Sequence, residues 1–185
     1  MGTMPTEDMC ALGEKIKLIS ADDAYLFLWA TCPRLPDALE VMEAWGFEYV
    51  TVAFNWVKTN KKSGTPFSAP GAYSWSNCEP VLLGKKRNKK LWHSNASGCE
   101  KPHQIILEPH PRNEQGKIIH SRKPESMHLA LEAWLKPFIG DYGMMELFAT
   151  QQRPGWTCLG HAISGKTLDV ELDEIINGIV QSNKI

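Results

Sequence analysis

The sequence predicts an α/β fold of the Rossmann-like type, a mostly parallel sheet with helices on both faces, and three observations carry that prediction. Residues 24–30 form a continuous apolar run, which is what a strand covered on both faces requires. A helical pattern follows at once. Pro36 stands where a first-turn proline belongs, Leu35, Ala38, Leu39, Met42 and Trp45 recur at helical spacing, and Gly46 stops the pattern. Residues 47–57 are then rich in aromatic and β-branched side chains, so strand, helix and strand come in order as a βαβ unit. Ligands in such folds bind past the carboxyl ends of the strands.

The remaining elements are read in the same way. Met9, Leu12, Ile16 and Ile19 predict an earlier helix, with Thr6 as its cap before Glu7 and Asp8. Val81-Leu82-Leu83 and Ile105-Ile106-Leu107 read as short buried strands. Around them lie polar stretches rich in Gly, Ser, Asn and Lys, residues 60–78 and 84–101, of the length that binding loops or disordered segments have. After Ser121 a helix starts at Lys123-Pro124, with Met127, Ala130, Leu131, Trp134 and Leu135 on one stripe. Residues 144–149 read as a strand. Residues 168–180 read as an acidic amphipathic helix whose apolar side carries Leu168, Leu172, Ile175, Ile176 and Ile179. The expected organisation is one domain over residues 1–165 and a C-terminal helical segment, 166–185, packed on it.

Composition narrows the function classes. A chain of 185 residues with 43% hydrophobic and 22% charged residues is that of an ordinary folded domain, neither disordered nor fibrous. The sequence has no secretion-signal pattern and no apolar run near the ~20 residues a membrane span needs, so it reads as soluble and cytoplasmic. Five widely spaced cysteines without a C-x-x-C pair read as reduced thiols, and neither they nor the six histidines show metal-ligand spacing.

A net charge of -1 conceals an uneven distribution. Residues 58–101 hold nine Lys or Arg against Glu79 and Glu100. Trp56 lies just before this window, and Phe67, Tyr73, Trp75 and Trp92 lie inside it. Basic charge interleaved with aromatic rings suits phosphate attraction plus base stacking. A solvated basic surface over core aromatics is the plain alternative.

Several landmarks line up in order: Gly2-Thr-Met4, Leu26-Phe-Leu-Trp29, Ala44-Trp-Gly-Phe47, Phe54-Asn-Trp-Val-Lys58, Ser76-Asn-Cys-Glu79, Leu82-Leu-Gly84, Arg122-Lys-Pro-Glu125, Glu146-Leu-Phe-Ala149 and Gly155-Trp156. Over about residues 2–161 the sequence resembles the MT-A70 family of S-adenosylmethionine-dependent adenine methyltransferases, on its phage and bacterial branch. The resemblance implies methyl transfer from S-adenosylmethionine to the exocyclic 6-amino nitrogen of adenine, in DNA rather than RNA. That nitrogen is a poor nucleophile, so such a site accepts its hydrogen bonds with a carboxylate and a carbonyl, and stacks the extruded base on an aromatic ring.

The family meets this need with an Asp-Pro-Pro-Trp tetrad just upstream of a Tyr-x-Thr-Met element. This sequence contains no Pro-Pro dipeptide, and Met1 stands at or next to the position of that tyrosine. The expectation is a fold without its N-terminal catalytic strand, and no catalytic residue is assigned. Glu108-Pro-His-Pro111 imitates the acid-proline pattern but reads as a strand exit turned by two prolines.

Other roles carry over residue by residue. The resemblance implies that Lys123 lies by the carboxylate end of the cofactor, at a helix start that favours anions. It implies that the strand bearing Phe148 leads into the cofactor pocket. Thr150 stands where relatives have arginine and His161 where they have asparagine; Gln151 and Gln152 are candidate ribose partners, and Trp156 either walls the pocket or packs in the core. On the substrate side, Tyr73, Asn77 and Glu79 match an aromatic-x-x-x-Asn-x-Glu stretch. Lys58, Lys61 and Lys62 are placed for phosphate, and the cluster Lys85, Lys86, Arg87, Lys89 and Lys90 is either a phosphate contact or a solvated loop. The rival readings are a non-catalytic nucleic-acid-binding partner and a decayed fragment of such a methyltransferase; a homo- or heterodimer is a further expectation.

Overall fold

The computed structural model describes residues 4–87, 101–119, 122–139 and 143–182, with backbone only for 137–139. Lys89, Lys90, Trp92 and Cys99 lie outside these residues, as do Gly2 and Ser121. The N-terminal helical pattern forms two helices, α1 (Thr6–Ala11) and α2 (Gly13–Ile19), instead of one. The break has a packing cause. A Cβ on Gly13 would lie 2.4 Å from the carbonyl oxygen of Ala44, so the glycine lets the α1–α2 corner rest on the end of the next helix. Thr6 does not cap α1. Pro5 precedes the helix without a side-chain cap, and the Thr6 hydroxyl instead accepts a hydrogen bond from Arg34 at 3.3 Å.

The βαβ unit follows as β1 (Tyr25–Trp29), a 3-10 turn (Cys32–Arg34), α3 (Leu35–Ala44) and β2 (Phe47–Thr59). After it come β3 (Cys78–Lys86), β4 (Ile105–Pro109), α4 (Glu125–Ile139), β5 (Met144–Leu147), β6 (Trp156–Leu159), a short α5 (His161–Ser164) and α6 (Leu168–Ser182).

The main sheet has the order β1-β3-β2-β4. β1 and β2 flank β3, which is antiparallel to both, while β2 and β4 are parallel. The sheet is therefore mixed rather than mostly parallel. A parallel return needs a crossover of a dozen or more residues, usually a helix. Residues 60–77, with Gly64, Pro66, Pro70 and Gly71, form no helix, so β3 returns from β2 as a hairpin partner. Its apolar run is buried because the strand is central. β4 is the contrasting case: as an edge strand it turns only Ile106 inward, and Ile105 and Leu107 stay 59% and 68% exposed. A second, two-stranded parallel sheet pairs β5 with β6.

Alternation along β3 divides the interior into two cores. Leu82 joins Leu12, Ile16, Val41, Met42 and Trp45 on the face covered by α1, α2 and α3, where Leu168 and Leu172 of α6 also pack. Val81 and Phe54 meet Met127 and Leu131 of α4 on the opposite face, with Phe27 and Phe54 edge-on to the Trp134 ring. The β5–β6 pair sits between the same layers, since Leu147 and Leu159 join the first core and Trp156 the second. Helix, sheet and helix thus form three layers. Among the described residues, no helix is long and apolar enough to cross a membrane.

Candidate functional site

The carboxyl ends of β1, β2 and β4 and the start of β3 fall at one end of the sheet, because the two ladders of β3 place Trp29 opposite Val81 and Trp56 opposite Glu79. The entry to α4 crosses the same end. Lys58 of β2 reaches one oxygen of Glu79 at 2.6 Å, and Lys123, just before the buried Pro124, reaches the other at 2.5 Å. The three charged side chains are 11%, 13% and 26% exposed for Lys58, Glu79 and Lys123, so the triad is largely withdrawn from water.

Burial alone would push the Glu79 carboxyl up; the ammonium groups of Lys123 and Lys58 outweigh it and hold the group below the usual carboxylate range. Aromatic rings complete the lining. The Lys123 ammonium lies 4.9 Å from the Trp29 ring centroid and that of Lys58 5.3 Å from Trp56, whose ring meets Trp29 edge-on. Trp56 is fixed in turn, its indole N–H donating to the Glu108 carbonyl at 2.8 Å.

Both oxygens of Glu79 are held by lysines, so Glu79 serves as their counter-charge. The Glu108 carboxylate accepts the Ser126 hydroxyl on one oxygen, a bond that uses only part of its accepting capacity.

The ends of β5 and β6 form a second cluster. The parallel register sets Leu147 beside Leu159, so the chain leaves both strands on the same side. Phe148 ends β5 in the left-handed region, at φ 59, with its ring 44% exposed. The exits are pressed together: a Cβ on Gly160 would lie 2.5 Å from the carbonyl oxygen of Ala149. Phe148, Thr150 and His161 are therefore neighbours on an exposed rim, with Gln152 exposed nearby in the connection. Gln151 turns instead to Glu125, at 3.3 Å.

Beneath this rim lies a polar node that the sequence reading did not find. Arg153, 8% exposed, bonds Glu146 of β5 at 3.0 Å and Glu125 of α4 at 2.5 Å, and His128 stands 3.3 Å from Glu146. Burial would raise the Glu146 carboxyl, but His128 and Arg153 hold it low. Trp156 packs here, its ring against His128 and its N–H on Glu132 at 2.7 Å.

The basic window separates in space. Asn60 bonds Thr65 and Pro66 to build a turn, and Lys61 and Lys62 stand exposed on it, beyond the Lys58 end of β2. Tyr73 is fully exposed and Trp75 62% exposed in the following loop, while the Asn77 carbonyl accepts the Lys58 N–H at 2.8 Å. Lys85, Lys86 and Arg87 lie at the far end of β3, about 20 Å along the strand from Glu79. There Lys85 pairs with Glu48, Arg87 with Glu43, and Lys86 covers the Phe47 ring. The structure does not bring them to the triad. Among the described residues, no group of three or more His, Cys, Asp or Glu side chains is arranged to hold a metal.

This geometry meets an independent finding: residues 1–162 match the MT-A70 family. The chain belongs to the MT-A70 family. It is also 32% identical over 160 residues to the Type II methyltransferase M.MunI of a Mycoplasma species, a match that spans 84% of this chain and 59% of that relative. The three-layer α/β fold is the one expected of an MT-A70 methyltransferase, and the MT-A70 match covers β1 to β6 and ends within the first turn of α5.

Proposed function

We propose that this chain binds S-adenosylmethionine and nucleic acid as part of a methyltransferase that modifies the 6-amino group of adenine, in DNA. The observation that carries the reading is the Lys58–Glu79–Lys123 triad at the ligand-binding end of the sheet. Glu79 fixes both lysines, yet each ammonium has three donors and gives only one to Glu79. Lys123 thus keeps donors for a cofactor carboxylate at the entry to α4, and Lys58 keeps donors for a phosphate.

The β5–β6 rim, tied to the start of α4 where Gln151 and Arg153 bond Glu125, fits the cofactor's other parts. Phe148 offers an exposed aromatic face, and the side chains of Thr150, Gln152 and His161 make no hydrogen bond within the described residues, so they are available to a ribose and an adenine ring. S-adenosylmethionine, when bound, supplies an electrophilic methyl group. The residues of this chain position and enclose; Lys61, Lys62 and Tyr73 contact the substrate, by charge and by stacking.

We assign no residue of this chain the role of the amine-activating acid: the sequence contains no Asp-Pro-Pro-Trp tetrad, and both oxygens of Glu79 are held by lysines. The test is titration calorimetry with S-adenosylmethionine, beside a methylation assay on an adenine-containing duplex. Expected are binding heat that Lys123→Ala lowers, and essentially no methyl transfer. Robust transfer by these residues alone would overturn the assignment of a positioning role. An absence of heat together with salt-sensitive DNA binding would favour a partner subunit that only holds nucleic acid, a reading that the exposed Lys61, Lys62, Tyr73 and Trp75 also suit.

A further inference from the structure

Cys32 opens the 3-10 turn after β1, and Cys78 opens β3. The β1–β3 ladder pairs Trp29 with Val81, and the Ala30 N–H donates to the Pro80 carbonyl at 3.0 Å. Two residues further along that register, Cys32 stands opposite Cys78. Their sulfurs are 3.8 Å apart, and the Cys32 thiol also points toward the Cys78 carbonyl at 4.0 Å. With the sulfurs already at van der Waals distance, a disulfide requires them to close from 3.8 Å to about 2.05 Å.

The two thiols differ in access. Cys32 is exposed and Cys78 half-buried. Burial and the neighbouring Cys32 sulfur push the Cys78 thiol up. Of the other described cysteines, Cys10 is half-buried in α1 and Cys158 is buried in β6.

We propose that Cys32 and Cys78 are a modification site, a dithiol that hydrogen peroxide or an organic hydroperoxide converts to an intrachain disulfide. The Cys32 thiolate attacks one oxygen of the peroxide; the O–O bond breaks, and the departing oxygen leaves as water or alcohol after taking a proton. The resulting sulfenic acid is attacked by the Cys78 sulfur. The S–O bond breaks, and water leaves with the Cys78 proton. Two thiols and one peroxide thus give one disulfide and two waters, or one water and one alcohol. The bond would clamp the first residue of β3, directly before Glu79, to the exit of β1.

The experiment uses the intact native chain. It is exposed to hydrogen peroxide, its free thiols are blocked with N-ethylmaleimide, and it is digested for mass spectrometry. A linked peptide pair joining Cys32 to Cys78 is expected, lost on treatment with dithiothreitol, and absent from Cys32→Ser and Cys78→Ser variants that melt like the parent. The proposal fails if both cysteines carry the blocking group, if Cys32 proceeds to a sulfinic acid while Cys78 stays free, or if only links between chains form.

Discussion

Lys123, at the entry to α4, donates to the carboxylate of Glu79, at the start of β3, across 2.5 Å. One ion pair therefore joins the sheet to the helical layer above it, and Lys58 on β2 makes the joint three-way. Removing the acid leaves two ammonium groups facing each other in a poorly hydrated site. Glu79→Ala should cost about 3 kcal/mol in urea unfolding. Loss of less than 1 kcal/mol would mean that the lysines simply swing into water.

The same carboxylate sets an acid limit. Its pKa in the fold is depressed, so its stabilising contribution is complete above the unfolded value of about 4.3 and is lost as pH falls from there through the depressed value. Glu146 is depressed as well and acts over the same window. Stability measured between pH 6 and 3 should fall, and Glu79→Gln should flatten part of that fall without abolishing it. An unchanged slope in Glu79→Gln would remove the triad as the source.

Phe148 sits in a backbone region that costs a residue with a side chain about 1–2 kcal/mol, and its ring is partly in solvent. A strained, exposed aromatic side chain is a candidate ligand contact. Phe148→Gly should melt at or above the temperature of the parent while binding S-adenosylmethionine more weakly. A large drop in melting temperature would instead make the ring a structural element.

Gly160 presents the opposite situation. Its backbone is extended, so the constraint is space: Ala149 leaves no room for a methyl group. Gly160→Ala should destabilise by about 3 kcal/mol, because backbone rather than a mobile side chain must shift. Thermal melts of the purified variant decide this.

On nucleic acid, Lys61 and Lys62 differ from the distant Lys85 and Arg87. Replacing the first two together by alanine should lower the salt slope of DNA binding by about 1.8, if each contacts one phosphate. Replacing Lys85 and Arg87, already paired with Glu48 and Glu43, should leave the slope unchanged.

The βαβ unit was legible because each of its elements carries a long, unmixed pattern, with Pro36 and Gly46 marking the helix ends. β6 was not: four residues that alternate Trp156 and Cys158 with Thr157 give no run to recognise. The direction of β3 could have been read from the connection before it, which lacks a helical stripe. Family likeness points to Glu79 for substrate and Lys123 for cofactor, and charge at a strand end points to Lys58 for phosphate. Their mutual pairing depends on the β2–β3 register and on the path into α4, which local sequence does not encode. The Arg153, Glu146, Glu125 and His128 node was invisible for the same reason, its members being drawn from a helix, a strand and a loop.

The place of β3 between β1 and β2 also sets a limit on folding during synthesis. A nascent chain that has emerged as far as residue 77 holds β1, α3 and β2, yet β1 and β2 are not ladder partners in the finished sheet. Their shared neighbour is still inside the ribosome. Until it emerges, β2 has no ladder partner, and the early intermediate relies on helix contacts and on the meeting of the Trp29 and Trp56 rings.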